Sequence, residues 1–126
     1  MSKFKFNRYF TTAVNLGTEE DPQEIKLRFK RLKATDTIAY SHEVSVLQEK
    51  LNDGDTSAVK DIYLVNIDLL CEQVIEIDDL LDEEGNEIKL PTSYEEKREL
   101  FDTLGIDFIV KACKQFSEGA SVSEKK

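Results

Sequence analysis

Apolar and basic residues alternate through Glu24-Ile25-Lys26-Leu27-Arg28-Phe29-Lys30-Arg31, which is the period of a strand with one buried face. Phe10, Thr12, Val14 and Leu16 alternate in the same sense upstream, and the polar stretch 17–22 can connect the two runs. This pattern predicts an N-terminal antiparallel hairpin. Phe6, Phe10, Ala13 and Leu16 also fit helical spacing, so an amphipathic helix over 4–16 stays open as the alternative.

Beyond Lys33 the period changes. From Asp36, a favourable N-cap residue, the positions Ile38, Ala39, His42, Val46, Leu47 and Leu51 recur at intervals of three and four until Asn52-Asp53-Gly54, which predicts a helix with a defined stop. A second, longer helix is predicted from Asp55 or Thr56, with Val59, Ile62, Tyr63, Ile67, Leu70, Val74 and Ile77 on one stripe. Leu64, Val65, Leu69 and Cys71 widen that stripe, so this element should pack on more than one side. Asp82-Glu83-Glu84-Gly85-Asn86 reads as a turn, and Glu87-Ile88-Lys89-Leu90-Pro91 as a short extended piece closed by proline. Ser93 with Glu96 has capping-box spacing and opens a helix that should turn Tyr94, Phe101 and Leu104 inward before Gly105. A last helix from Ile106 is expected to bury Ile109, Val110, Cys113 and Phe116. The sum is a mainly α protein with a small N-terminal β-hairpin, an α+β class with three to four helices. It is expected to be one domain over 1–117 with a flexible tail over 118–126.

A length of 126 residues suits one domain, since two separate cores would each be small. The 40% hydrophobic content keeps the chain in the globular class despite 34% charged residues. Charge is uneven. Residues 1–51 carry nine basic and seven acidic side chains, residues 52–126 eight and nineteen, and no basic residue lies between Lys60 and Lys89. A formal charge of -9 repels phosphate backbones and anionic lipid, so neither nucleic acid nor membrane is an expected partner. No run approaches the length of a membrane span, and the start MSKFKFNRYF lacks the apolar middle of a signal peptide, so a cytoplasmic location is expected. The opposed halves suggest a homo-oligomer in which Lys26, Arg28 and Lys30 of one copy meet Asp78, Asp79 and Glu83 of another.

Little in the chain suggests catalysis. His42 is the single histidine, without a nucleophile that its position connects to it. Cys71 and Cys113 form no CxxC, so no zinc site or disulfide framework can be assembled, and both are expected to be buried thiols. The acids of 78–84 are interrupted by Leu80 and Leu81, which breaks the ligand pattern of a calcium loop. GxGxxG, GKS or GKT, and GxSxG do not occur. Neither an enzyme, a cofactor nor a metal is expected. Lys26, Arg28, Lys30, Arg31 and Lys33 around Phe29 read as the wet side of a half-buried strand rather than a nucleic-acid face.

The run Asp79-Leu80-Leu81-Asp82-Glu83-Glu84-Gly85-Asn86-Glu87-Ile88-Lys89-Leu90-Pro91-Thr92-Ser93, followed by two short helices, resembles the tail assembly chaperones of long-tailed, non-contractile bacteriophages. The order of a basic apolar strand, a helix, a long apolar helix and an acidic turn is similar to that family over residues 20–118. Many members carry a tryptophan shortly before the turn, where this chain has Ile77-Asp78-Asp79. The resemblance implies a non-enzymatic late protein of the host cytoplasm, absent from the mature virion. Its implied partners are the tape measure protein, which it would keep soluble, and the tail tube protein. The family often makes a longer product by ribosomal frameshifting, for which the stretch from Glu118 would be the join. On this reading Leu80, Leu81, Ile88 and Leu90, flanking the acidic turn, are the expected client anchors. The other function considered is a small acidic inhibitor or antitoxin that mimics nucleic acid. The apolar residues Ile75, Ile77, Leu80 and Leu81 interrupt such a carboxylate face and favour binding of a protein chain.

Overall fold

A computed structural model describes residues 3–121. Strands β1 (Tyr9–Asn15) and β2 (Glu24–Lys30) form the N-terminal hairpin, followed by helices α1 (Ala34–Asn52) and α2 (Ala58–Gln73), strand β3 (Val74–Asp78), and helices α3 (Tyr94–Leu104) and α4 (Ile106–Ser121). The fold is α+β, with four helices and one three-stranded antiparallel sheet ordered β1-β2-β3 among the described residues.

The alternation in β2 has the expected outcome. Ile25, Leu27 and Phe29 are buried, and Lys26, Arg28 and Lys30 face water. Tyr9 pairs with Lys30 and Asn15 with Glu24, so Val14 lies opposite Ile25 on the buried face and Phe10 opposite Phe29. The strand reading of the first segment holds from Tyr9 onward, in place of the helical alternative.

The long second helix divides in two. α2 stops at Gln73 and the chain passes directly into β3, so Val74 and Ile77 are strand residues rather than the last turn of a helical stripe. Helical spacing predicts both as buried, whereas a regular strand would put residues three apart on opposite faces, and only the bulge at Ile75 brings the two to one face of β3. The deciding factor is nonlocal: β2 has a second edge with backbone groups to satisfy, and the β-branched Val74, Ile75 and Ile77 suit it. The register jumps between Arg28, opposite Glu76, and Phe29, opposite Val74. Ile75 is the extra residue of this bulge and lies partly in solvent.

Helix α1 starts at Ala34 with Lys33 as N-cap and no side-chain cap, so Asp36 sits in the first turn instead of capping it. Its expected stripe is also rotated. Ile38, Ala39, His42 and Val46 are exposed, while Tyr40, Val44, Leu47 and Leu51 turn toward α2. Ser93 does cap α3: its Oγ accepts from the Glu96 N–H at 3.2 Å and its hydroxyl donates to Glu96 Oε1 at 3.0 Å. Phe101 is buried and Leu104 half-buried, but Tyr94 is exposed and donates its hydroxyl to Asp68.

The core lies between the apolar face of the sheet and the helices. Phe29 stacks on Phe10 at 5.3 Å and meets Phe116 of α4 at 5.0 Å, while Phe101 and Phe108 pair at 5.6 Å between α3 and α4. α4 crosses β1, with Thr12 donating to Gln115 at 2.7 Å. Its helix continues through Glu118 to Ser121, where a flexible tail was expected, and the rest of that expected tail lies outside the described residues. Cys71 and Cys113 are both buried free thiols.

Candidate functional site

α2 is flanked by α1 on one side and by α3 and α4 on the other, and α1 packs substantially on no other element. The seam between α1 and α4 is therefore only partly closed. At one end a hollow of about 370 Å³ lies among Leu32, Thr37, Tyr40, Ser41 and Phe116. At the other end a hollow of about 240 Å³ is lined by Leu51 of α1, Val59 and Ile62 of α2, and Ile106, Ile109 and Val110 of α4. Tyr40 lines the first, Asn66 lines the second, and the Tyr40 hydroxyl donates to Asn66 Oδ1 at 2.5 Å between them. Burial pushes the Tyr40 hydroxyl up to about 12, helped by its proximity to Cys113, so it remains a neutral donor at physiological pH.

The second hollow is an exposed apolar surface. Ile106 is 61% and Val110 57% exposed, and Val59 is half exposed. Val110 was expected on the buried face of α4. Instead Phe108, Ile109, Ala112, Cys113 and Phe116 fill that face, and Val110 turns outward with Ile106 one helical turn before it. Exposed branched aliphatics grouped around a concavity mark a surface suited to a partner's apolar side chains.

The anchors expected beside the acidic turn have mixed placements. Leu80 is buried in the core, and Ile88 and Leu90 pack against it, so only Leu81, 58% exposed, offers a free apolar side chain. The turn is a small hairpin in which Asp82 Oδ1 accepts from the Glu84 and Asn86 N–H groups, both at 2.9 Å, and Leu81 bridges Glu87. Glu83 is exposed on that turn. Of the residues expected at a contact between copies, Lys26 meets Asp78 and Asp79 within one chain. Lys26 lies 3.8 Å from Asp79 and opposite Asp78 in the ladder, Arg28 lies 3.9 Å from Glu76, and the Arg28 guanidinium sits 4.9 Å over the Tyr9 ring. Lys30 extends the same wet face at the end of β2.

Asp36, Glu43, Asp68 and Glu72 border a further hollow on the opposite flank of α1. Arg98 pairs with Asp68 at 2.9 Å, which balances part of that charge. Among the described residues, no group of three or more His, Cys, Asp or Glu side chains could hold a metal ion. His42 lies exposed on α1, away from the apolar contact it was expected to make. No described helix is long and apolar enough to cross a membrane.

The seam is not legible in the sequence, because the apolar positions of α1 and α4 each read as a single buried stripe. The available signal was the width of the apolar arc of α4: Ile106, Phe108, Ile109, Val110, Ala112, Cys113 and Phe116 cover more than one neighbour can bury. Comparison with known proteins finds no family model, curated protein or solved structure that matches this chain.

Proposed function

We propose that this protein is a non-enzymatic bacteriophage tail assembly chaperone, one that holds an apolar helix stripe of the tape measure protein in the α1–α4 seam and helps bring tail tube subunits to it. The observation that carries the reading is the grouping of Val59, Ile106 and Val110 as exposed aliphatics around an open hollow between helices. A client helix laid along the seam would cover apolar surface on both sides, the helix-in-groove mode of recognition. The net charge of -9 suits a holder of aggregation-prone chains, because it keeps the loaded complex repelling its neighbours in solution. The acidic turn at 82–86 and the order of elements before it supply the resemblance to the phage chaperones.

Co-expression with a tape measure protein from the same gene neighbourhood tests this. Wild type should co-purify with it and hold it in the soluble fraction. Val110→Asp, which puts a charge into the hollow at an exposed site, should lose the client without losing helical content by circular dichroism. Leu81→Ser tests the acidic turn as the grip in the same assay. Retention of the client by Val110→Asp and its loss by Leu81→Ser would move the site from the seam to the turn, and a client that stays insoluble with wild type would refute the chaperone reading.

A further inference from the structure

The segment 3–8, ahead of β1, alternates Lys3-Phe4-Lys5-Phe6 and ends in Asn7-Arg8. Phe4 is 78% and Phe6 65% exposed, so two of the largest apolar side chains of the molecule lie in water beside three cations. No acidic residue occurs between Lys3 and Thr18. The Val59/Ile106/Val110 hollow of the seam has the complementary character. It presents Ile106, Val110 and Val59, with Asp102 nearby accepting the hydroxyl hydrogen of Tyr63, itself a lining residue, and with Asp107 next to Ile106 paired at 3.2 Å with Lys111.

Within one chain the two phenylalanines do not line that hollow. Arg31 Nε donates to Asn7 O at 2.6 Å and Arg31 Nη1 to Gly119 O at 3.4 Å, which fastens the root of the arm beside the C-terminal end of α4. The hollow lies at the opposite end of that helix. From Gly119 back to Val110, the nearest α4 residue of the hollow, the helical rise amounts to about 14 Å, whereas the backbone of Phe4, three residues beyond Asn7, reaches at most about 10 Å when fully extended.

We infer that the arm of residues 3–8 docks, through Phe4 and Phe6, in the Val59/Ile106/Val110 hollow of a second copy of this chain. Apolar contact supplies the seat, and Lys3 and Lys5 against Asp102 set the orientation. Reciprocal exchange of arms closes a dimer, and one-way exchange builds an open chain of copies. Because the hollow is one end of the seam, bound arm and bound client exclude each other. That consequence rests on the proposed function, whereas the docking itself does not.

Sedimentation velocity of the full chain over a range of concentrations tests the contact. Wild type should associate as concentration rises, and both Phe4→Ser/Phe6→Ser and Val110→Asp should stay monomeric. Their mixture should associate again, since one supplies an intact hollow and the other an intact arm. A synthetic peptide of residues 1–8 should dissociate wild type, and the same peptide with both phenylalanines changed to serine should not, a readout that does not depend on how any variant folds. A wild type that is monomeric throughout overturns the inference, as does an arm variant that associates like wild type. Binding of a labelled amphipathic helix with a leucine stripe separates the two readings. The arm variant should bind it at least about tenfold more tightly than associated wild type, by removal of the competing arm. If Val110→Asp stays monomeric yet binds the helix normally, the arm contact stands and the seam is not the client site. If it associates normally but loses the helix, the arm contact is refuted and the client site stands.

Discussion

Gly119 carries a constraint that its place in a helix conceals. A Cβ there would come 2.3 Å from Phe10 Cε2, and that ring cannot yield easily because it stacks on Phe29 at 5.3 Å and meets Phe116 at 5.7 Å. In an open helical position Gly→Ala stabilises by up to about 1 kcal/mol. Here overpacking costs about 1–3 kcal/mol and should win. Gly119→Ala is therefore expected to lower the thermal midpoint, and a rise would show that α4 is not seated on β1 as described. The sequence makes Gly119 look like part of a loose tail, because nothing local reveals the aromatic ring it touches. Ser93 is the opposite case. Its spacing to Glu96 announces the cap, and the structure makes it, with one difference: the Glu96 carboxylate accepts from the Ser93 hydroxyl.

At the scale of elements, α3 and α1 differ in what holds them. α3 has its cap and the buried Phe101, so Ser93→Ala should cost about 1 kcal/mol in denaturant unfolding with an unchanged slope. α1 has no side-chain cap, one buried side chain in Leu47, and substantial packing on α2 alone. Its 19 residues should therefore open locally before the rest of the fold. Native-state hydrogen exchange is expected to show lower protection for α1 than for α2 or β2. Equal protection across all three would mean that the seam is closed more firmly than α1's contacts allow. Loose attachment also suits the proposed role, since a helix that yields can widen the seam around a client. The β3 correction belongs at this scale as well. Val74 and Ile77 fit helical spacing, and only the vacant edge of β2, with a bulge at Ile75, makes them strand residues of one face.

For the whole molecule, two buried thiols and three tyrosines define its alkaline limit. Burial pushes the Cys113 thiol and the Tyr40 hydroxyl up to about 12, and burial with Asp68 nearby pushes Cys71 up to about 11. Tyr63 rises to about 12 because its hydroxyl is donated to Asp102, and Tyr94 rises to about 12 through burial and its bond to Asp68. All five are neutral when protonated. The unfolded chain, with ordinary values of 9.0 for Cys and 10.0 for Tyr, releases these protons first as pH rises. The folded state then binds more protons, so stability is fully present below about pH 9 and declines toward about pH 12. Urea midpoints measured across that window should fall steadily, and a flat profile would mean that the thiols and Tyr40 are open to water and that Tyr63 and Tyr94 do not hold their bonds to Asp102 and Asp68.

The alternation over 24–31, the capping spacing at Ser93 and the Asp82–Asn86 turn by themselves determined the hairpin, the start of α3 and the acidic loop, because each of these features is set by residues within one turn or strand of one another. Only the tertiary structure decided that β3 completes the sheet, that α1 turns Tyr40 and Leu47 inward while Ile38 and His42 face water, that Leu80 is core, and that Val59, Ile106 and Val110 share one open hollow. Those outcomes depend on which side of a helix or strand a distant neighbour occupies. A hydrophobic pattern records that a side chain is apolar, and packing decides whether it is buried or left for a partner.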